Sequence, residues 1–246
     1  LYLTHLSSFS KFSTLKRRIA SIKVVHRLKG HYIDTKHPII TENIMGIKRK
    51  LGVKQTSKKP ILINDLKKII NVIDEEKNEL KKYQNKALIL IGFAGGFRRS
   101  ELVSIEYEDI DFVAEGVKII VKRSKTDQTG IGMTKAIPYF KNETYCPVRS
   151  LKYWISFNNI QSGKIFKISD KTVALTLKKY ALLAGLDKNK YAGHSLRSGF
   201  ATSAAETGAN ERSIMAMTGH KTTQMVRRYI QETNLFKNNA LNKIKI

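Results

Sequence analysis

Residues 192–229 read AGHSLRSGFATSAAETGANERSIMAMTGHKTTQMVRRY, and they hold His194, Arg197, His220 and Tyr229, four side chains able to contact a phosphate. His194 and Arg197 lie three residues apart. A helix begun near His194 therefore sets an imidazole and a guanidinium on one face, one turn apart, where both can meet a single anion. Gly208 ends that helix. Asn210 then caps a second, short helix, ERSIMAMT, which Gly219 closes in the C′ position, so that His220 opens the next loop. Tyr229 follows on a third amphipathic stretch. Two histidines, an arginine and a tyrosine, with no carboxylate cluster or cysteine pair beside them, point to chemistry on phosphate without a metal.

Such a site needs more positive charge, and Gly92–Leu102, GFAGGFRRSEL, supplies Arg98 and Arg99 with Glu101 behind them. Read in order, the chain carries G-F-R-R-S-E-L, then S-K-T-D-Q at Ser124–Gln128, then G-H-S-L-R-S, then T-G-H, then a tyrosine nine residues after that histidine. Each piece alone is weak. Together, in this order and with these spacings, they resemble the tyrosine recombinases, the phage-integrase family of site-specific DNA recombinases, over about Ile61 to Tyr229.

The resemblance implies roles. Arg98 matches the first catalytic arginine, because the family pattern R-x-x-E fits Arg98 with Glu101, whereas Arg99 stands one residue too close to that acid. Glu101 is expected to orient a partner or support the scaffold. Lys125, at the tip of a hairpin, matches the general acid that protonates the departing 5′ oxygen; Lys122 and Arg123 are the nearest alternatives. Tyr229 is the expected nucleophile, giving a 3′-phosphotyrosyl link and a free 5′-hydroxyl. Arg98 and Arg197 would clamp the non-bridging oxygens by bidentate contacts that lysine cannot copy. His220 would donate to the phosphate, and His194 is either the proton acceptor from Tyr229 or a second phosphate contact. No cofactor is implied. Tyr139, Tyr145, Tyr153, Tyr180 and Tyr191 are also available, but none stands at that distance beyond a G-H pair.

Charge agrees with a polyanionic partner: 45 basic residues against 20 acidic ones in 246 give a net +25, which no fold requires. Hydrophobic residues, at 41%, suffice for a real core. The one cysteine, Cys146, excludes an internal disulfide framework and suits a reducing compartment; the resemblance implies a prokaryotic cytoplasm. The longest apolar run, Ala87–Phe97, is too short to span a bilayer, so no membrane partner is expected.

The first acidic residue is Asp34, and Leu1–Ile33 is basic and Ser-rich, features shared with organelle transit peptides. The pattern from Ser13 favours a different reading. Leu15, Ile19, Ile22 and Val25 or His26 form one helical stripe, with Arg17, Arg18, Lys23 and Arg27 largely opposite. A second helix from Thr41 points Ile44, Ile47 and Leu51 inward and Lys48, Arg49 and Lys50 outward. These seven cations are the expected DNA-facing set. The region resembles the latter part of the family's helical core-binding domain, with fewer helices before it than the family carries, so an N-terminally truncated domain is expected.

Gly52–Pro60, GVKQTSKKP, reads as a polar, basic linker closed by a proline. Beyond it, Asn64 is expected to cap DLKKIINVIDEE, and Asn78–Phe93 to form the next helix. Asp111–Val113, VKIIVKR and GMTKAIPY read as strands. Helices follow around SLKYWISF and DKTVALTLKKYALLAG, the second capped by Asp170, with Trp154, Phe157, Leu175 and Leu182 assigned to the core. The sum is a mainly α fold with a small antiparallel β-sheet: a partial all-α DNA-binding domain (1–51), a linker (52–60) and an α+β catalytic domain (61–246).

The expected partner is double-stranded DNA, bound by a homo-tetramer on paired sites, with accessory DNA-bending proteins possible. Leu235, Leu241 and Ile244 suit a tail that docks on a neighbouring protomer. Integration or excision of a mobile element is the preferred task. A type IB topoisomerase-like nicking and closing enzyme, or a non-catalytic DNA-binding remnant, are the alternatives.

Overall fold

The computed structural model describes residues 2–52, 58–122 and 132–234, together with Asn242 and Ile244. Most of the expected linker, the Lys125 hairpin tip, and Leu235 and Leu241 of the tail lie outside the described residues. The chain divides into two compact units, Leu1–Ser57 and Lys58–Ile246.

The first unit holds α1 (Tyr2–Ser7), α2 (Phe12–Leu28) and α3 (Pro38–Leu51), closed around a small core of Leu6, Leu15 and Ile47. Helix α3 begins at Pro38, earlier than the Thr41 start expected from sequence. The cause is local: His37 accepts from the Ile39 N–H, and Pro38 occupies the first helical turn, where its fixed φ is pre-set for helix and its missing N–H costs nothing. Arg17, Arg18, Lys23, Arg27, Lys48, Arg49 and Lys50 are all exposed. Leu51, expected inward, is exposed as well, at the frayed last position of α3.

The second unit is built on α5 (Glu79–Ala94), which Asn78 caps by accepting from the Lys81 N–H. Every residue from Ala87 to Ala94 is buried, so this half of α5 is apolar all round and must be covered on all sides. One side meets α7 (Pro147–Phe157) and a three-stranded sheet; the other meets α4 (Ile63–Asp74), α8 (Asp170–Leu183) and α9 (Ser195–Glu206). The strands β1 (Ile110–Val113), β2 (Gly116–Val121) and β3 (Met133–Pro138) pair antiparallel in sequence order, with Ile110 opposite Ile119 and Val121 opposite Met133. Short helices α6 (Arg99–Val103), α10 (Glu211–Thr218) and α11 (Thr223–Asn234) complete the unit. Among the described residues no helix is long and apolar enough to cross a membrane.

Three local expectations are corrected. Helix α4 starts at Ile63, one residue before the proposed Asn64 cap. Ser169, not Asp170, caps α8 by accepting from the Thr172 N–H at 3.1 Å, leaving Asp170 in the first turn, where its charge still complements the helix dipole. Leu175 and Leu182 are exposed because α8 buries a single stripe, Val173, Leu177, Tyr180 and Ala181. Phe157 is also off the buried stripe of α7 and instead packs with Tyr83 and Tyr153. Trp154 is core, its indole N–H donating to the Ile165 carbonyl at 3.0 Å.

Helix α9 presses directly on the strand-like entry to this unit, where the Ile61 N–H donates to the Ser195 carbonyl. At Gly199 an added Cβ would drive into the Ile61 carbonyl oxygen, a backbone atom with nowhere to move. Gly199→Ala is therefore expected to destabilise the protein by about 2–3 kcal/mol, measured by urea unfolding.

Candidate active site

Arg98 immediately precedes α6. Its backbone N–H donates to Glu101 Oε2 at 2.9 Å, and its guanidinium forms an ion pair with the other oxygen of the same carboxylate. Glu101, only 2% exposed, thereby fixes both the backbone and the side chain of Arg98. Arg99 leaves in another direction: it lies across Gly193, where any Cβ would collide with its stem, and reaches Asp170 at 3.6 Å on α8. The two adjacent arginines are thus separated by their carboxylate partners, and the one with its acid three residues on faces the site.

Helix α9 begins at Ser195, with His194 in the N-cap position and Arg197 in the first turn. Arg197 is 1% exposed; its Nη1 donates to the Gly96 carbonyl at 2.8 Å, two residues before Arg98. The other terminal nitrogen, Nη2, is buried with no hydrogen-bond partner among the described residues. Burial, then the neighbouring Arg98 charge, lower the Arg197 pKa to about 10, with Glu101 and Tyr229 acting the other way. A buried guanidinium with an unmet donor is an anion-binding arrangement.

Gly219 ends α10 in the left-handed conformation (φ 64°), its N–H donating to the Met215 carbonyl, and this turn delivers His220. The Thr218 hydroxyl donates to the Ile214 carbonyl at 2.6 Å, and His220 Nδ1 lies 2.8 Å from that same oxygen. A hydroxyl has one hydrogen, so Nδ1 carries the proton of this contact and Nε2 is left free to serve the site. Burial first, then Arg197, Arg98, His194 and Lys135, push the His220 pKa down to about 4. His194 reaches solvent at one edge, yet desolvation on its inner side and the Arg197, Arg98 and Arg99 charges also lower its pKa. Both imidazoles are neutral at pH 7 before an anion arrives.

Helix α11 lays Tyr229 and the buried Val226 against Ala201, Ala205 and Ile214. The Tyr229 ring centroid is 6.2 Å from that of His220. Arg98, His194, Arg197, His220 and Tyr229 thus converge, although four separate segments carry them: the turn before α6, the start of α9, the turn after α10, and α11. Other tyrosines are committed elsewhere: Tyr145 donates to Asn71, Tyr180 to Glu76 and Tyr191 to Asp65, each at 2.8–2.9 Å, and Tyr153 stacks on Phe157 and packs at a tilt against Tyr83. Lys125 and its alternative Arg123 lie outside the described residues. The other alternative, Lys122, pairs with Glu106 at 2.6 Å and Asp109 at 2.9 Å, contacts that raise its pKa.

Sequence reading missed Lys135. It is fully buried on β3, its Nζ donating to the Gly95 and Met217 carbonyls and lying 4.6 Å from the centre of the Phe97 ring. Burial, with help from Arg197 and Arg98 and against Glu101, lowers its pKa to about 7. The signal was present as strand alternation: Lys135 shares a parity with Met133 and Ile137 on the inward face.

The model of the phage integrase family matches residues 61–235. An integrase/recombinase xerD homolog of Selenomonas ruminantium is 43% identical over 99% of this chain and 75% of its own length. A tyrosine recombinase of Agathobacter rectalis is 26% identical over 93% of this chain and 74% of its own. Among solved structures, the XerH site-specific recombinase bound to palindromic difH substrate superposes with a TM-score of 0.76 at 19% identity, covering 98% of this chain and 70% of that one. A Tn1549 transposon integrase with transposon right end DNA gives 0.65 at 17% identity, over 97% and 84%. Family match, near-full-length relative and fold agree, and the chain belongs to the phage integrase family of tyrosine recombinases.

Proposed function

We propose that this protein is a site-specific recombinase that cleaves and rejoins double-stranded DNA through a 3′-phosphotyrosyl intermediate at Tyr229. One observation carries the reading: the buried, unpartnered Nη2 of Arg197, with Arg98, two neutral imidazoles and Tyr229 around it. A phosphodiester oxygen would accept from Nη2 and complement the surrounding positive charge.

In this reading Arg98 and Arg197 bind the non-bridging oxygens, whose charge grows in the pentavalent transition state. Glu101 holds Arg98 in place and does no acid catalysis. The arriving phosphate raises the pKa of His220, whose Nε2 gains a proton and donates to an oxygen. His194 takes the proton of Tyr229 as its hydroxyl attacks phosphorus. The 5′ oxygen leaves as a hydroxyl, protonated by Lys125. Because the phosphotyrosyl link conserves the bond energy, a 5′-hydroxyl from a second duplex reverses the step without ATP. Arg17, Arg18, Lys23, Arg27, Lys48, Arg49 and Lys50 supply phosphate contacts from the first unit, all being exposed. The protein works as a tetramer on paired sites, in a prokaryotic cytoplasm, in integration or excision of a mobile element; the Selenomonas ruminantium relative, named an integrase/recombinase, supports the task. The two solved recombinases described above are complexes with DNA, which supports the partner.

The test is exchange between two duplexes. Supercoiled plasmids with one or two copies of a candidate site are incubated with the protein; recombinant products that need two copies are expected. Sequence-indifferent relaxation of plasmids with no site would instead identify a nicking and closing enzyme.

A further inference from the structure

Two carbonyl oxygens near the site come from parts of the chain 122 positions apart, Gly95 at the end of α5 and Met217 in the last turn of α10, and one amino group accepts the task of joining them. Arg98 follows Gly95 by three residues, and His220 follows Met217 by three. Both intervening segments are tightly confined. Gly96 has φ 54° and would bring any Cβ to within 3.1–3.2 Å of Phe200 and Thr218; Gly219 has φ 64° and would bring one to 3.0 Å from the Met133 sulfur. Little slack remains between each pinned carbonyl and the side chain that follows it.

We propose that Lys135 is a positioning residue for cleavage: its amino group pins the Gly95 and Met217 carbonyls and so holds the segments carrying Arg98 and His220 in one frame. The inference rests on the cleavage reading above. A buried lysine is a costly way to join two carbonyls, since full desolvation disfavours its charge, and an apolar side chain on the inward face of β3 would pack more favourably. Retaining the lysine suits a role in which charge matters.

That charge responds to the site. The groups facing Lys135 are Arg98 and Glu101 around α6, Arg197 on α9 and His220 beyond α10, and their balance leaves its pKa near 7 in the free protein. A phosphate between Arg98 and Arg197 offsets the two repulsive neighbours and draws a proton onto Lys135. As ammonium it has three donors, so both carbonyls stay satisfied while the cation sits on the Phe97 face. The frame tightens as DNA enters.

The experiment compares the full chain with Lys135→Met, and with Lys135→Gln, which keeps two donors but never charges. Thermal unfolding, DNA affinity, single-turnover cleavage of a nicked duplex, and proton uptake on DNA binding at pH 8 are measured, the last by calorimetry in two buffers of different ionisation enthalpy. Both variants are expected to bind DNA within about threefold of the parent and to cleave about tenfold to a hundredfold more slowly, the cost of slight misplacement. At pH 8 both variants are expected to take up about half to one proton fewer than the parent, the uptake at His220 being common to all three. Unchanged cleavage per folded molecule in Lys135→Gln, or proton uptake equal to the parent's, would overturn the proposal whatever the stability of Lys135→Met. Absence of cleavage by the parent on bound DNA would instead overturn the underlying reading.

Discussion

Tyr229→Phe is expected to form no covalent adduct with DNA while binding the duplex within about twofold of the parent, as a gel-shift and a denaturing gel on the same reactions would show. Tyr229 is half-buried on α11 and packs against Ala201, Ala205, Ile214 and Val226, contacts that a phenyl ring preserves. Only the hydroxyl is lost. A free phenol ionises near pH 10, so at pH 7 the group needs a base and nearby positive charge to attack phosphorus. His220, with its ring centre 6.2 Å away, His194, and the charges of Arg98 and Arg197 are placed to provide both. No other described tyrosine has that company: Tyr180 and Tyr191 hold carboxylates, and burial and those carboxylates raise the pKa of each. A second tyrosine therefore should not take over.

Arg197→Lys is expected to slow cleavage by about 10²–10³-fold, with DNA affinity changed far less. Arg197 does two things with one planar group. Nη1 ties down the Gly96 carbonyl, and Nη2 remains for the anion. A lysine has one terminal nitrogen on a flexible stem and cannot hold a carbonyl and a phosphate oxygen with the same fixed spacing. The conservative change keeps the positive charge, so most of the loss belongs to geometry and not to net attraction. Arg197→Ala would lose Gly96 as well and leave a cavity in a fully buried place, so it confounds catalysis with stability. Single-turnover rates at saturating protein, read beside equilibrium binding, separate the two variants.

Much of this site was legible because its residues are ordered by local rules. The H-x-x-R spacing becomes one face at the start of α9, Asn210 caps α10 by accepting from the Ser213 N–H, and Gly219 turns the chain into His220 as its φ demands. The acid three residues after Arg98 distinguishes it from Arg99 by spacing alone. What escaped was set by packing. Lys135 was one lysine among many in a chain of net charge +25, and its parity with Met133 and Ile137 was outweighed by the usual place of a lysine at the surface. Leu175 and Leu182 were assigned to the core on hydrophobicity alone, whereas the buried stripe of α8 runs through Val173, Leu177, Tyr180 and Ala181. At α3 the start signal was Pro38 behind a histidine cap, a combination outranked in the sequence by the more familiar Thr41.

The central claim is that Tyr229 becomes covalently joined to the 3′ side of a cut DNA strand. Its most direct test uses nicked duplexes of candidate sites from which the 5′-hydroxyl fragment diffuses away, incubated without divalent metal, denatured, digested and mapped by mass spectrometry. The account predicts an adduct on the peptide containing Tyr229, carrying a 3′-phosphate-linked nucleotide. Attachment at another residue or through a 5′-phosphate, or no adduct on DNA that is demonstrably bound, would contradict it.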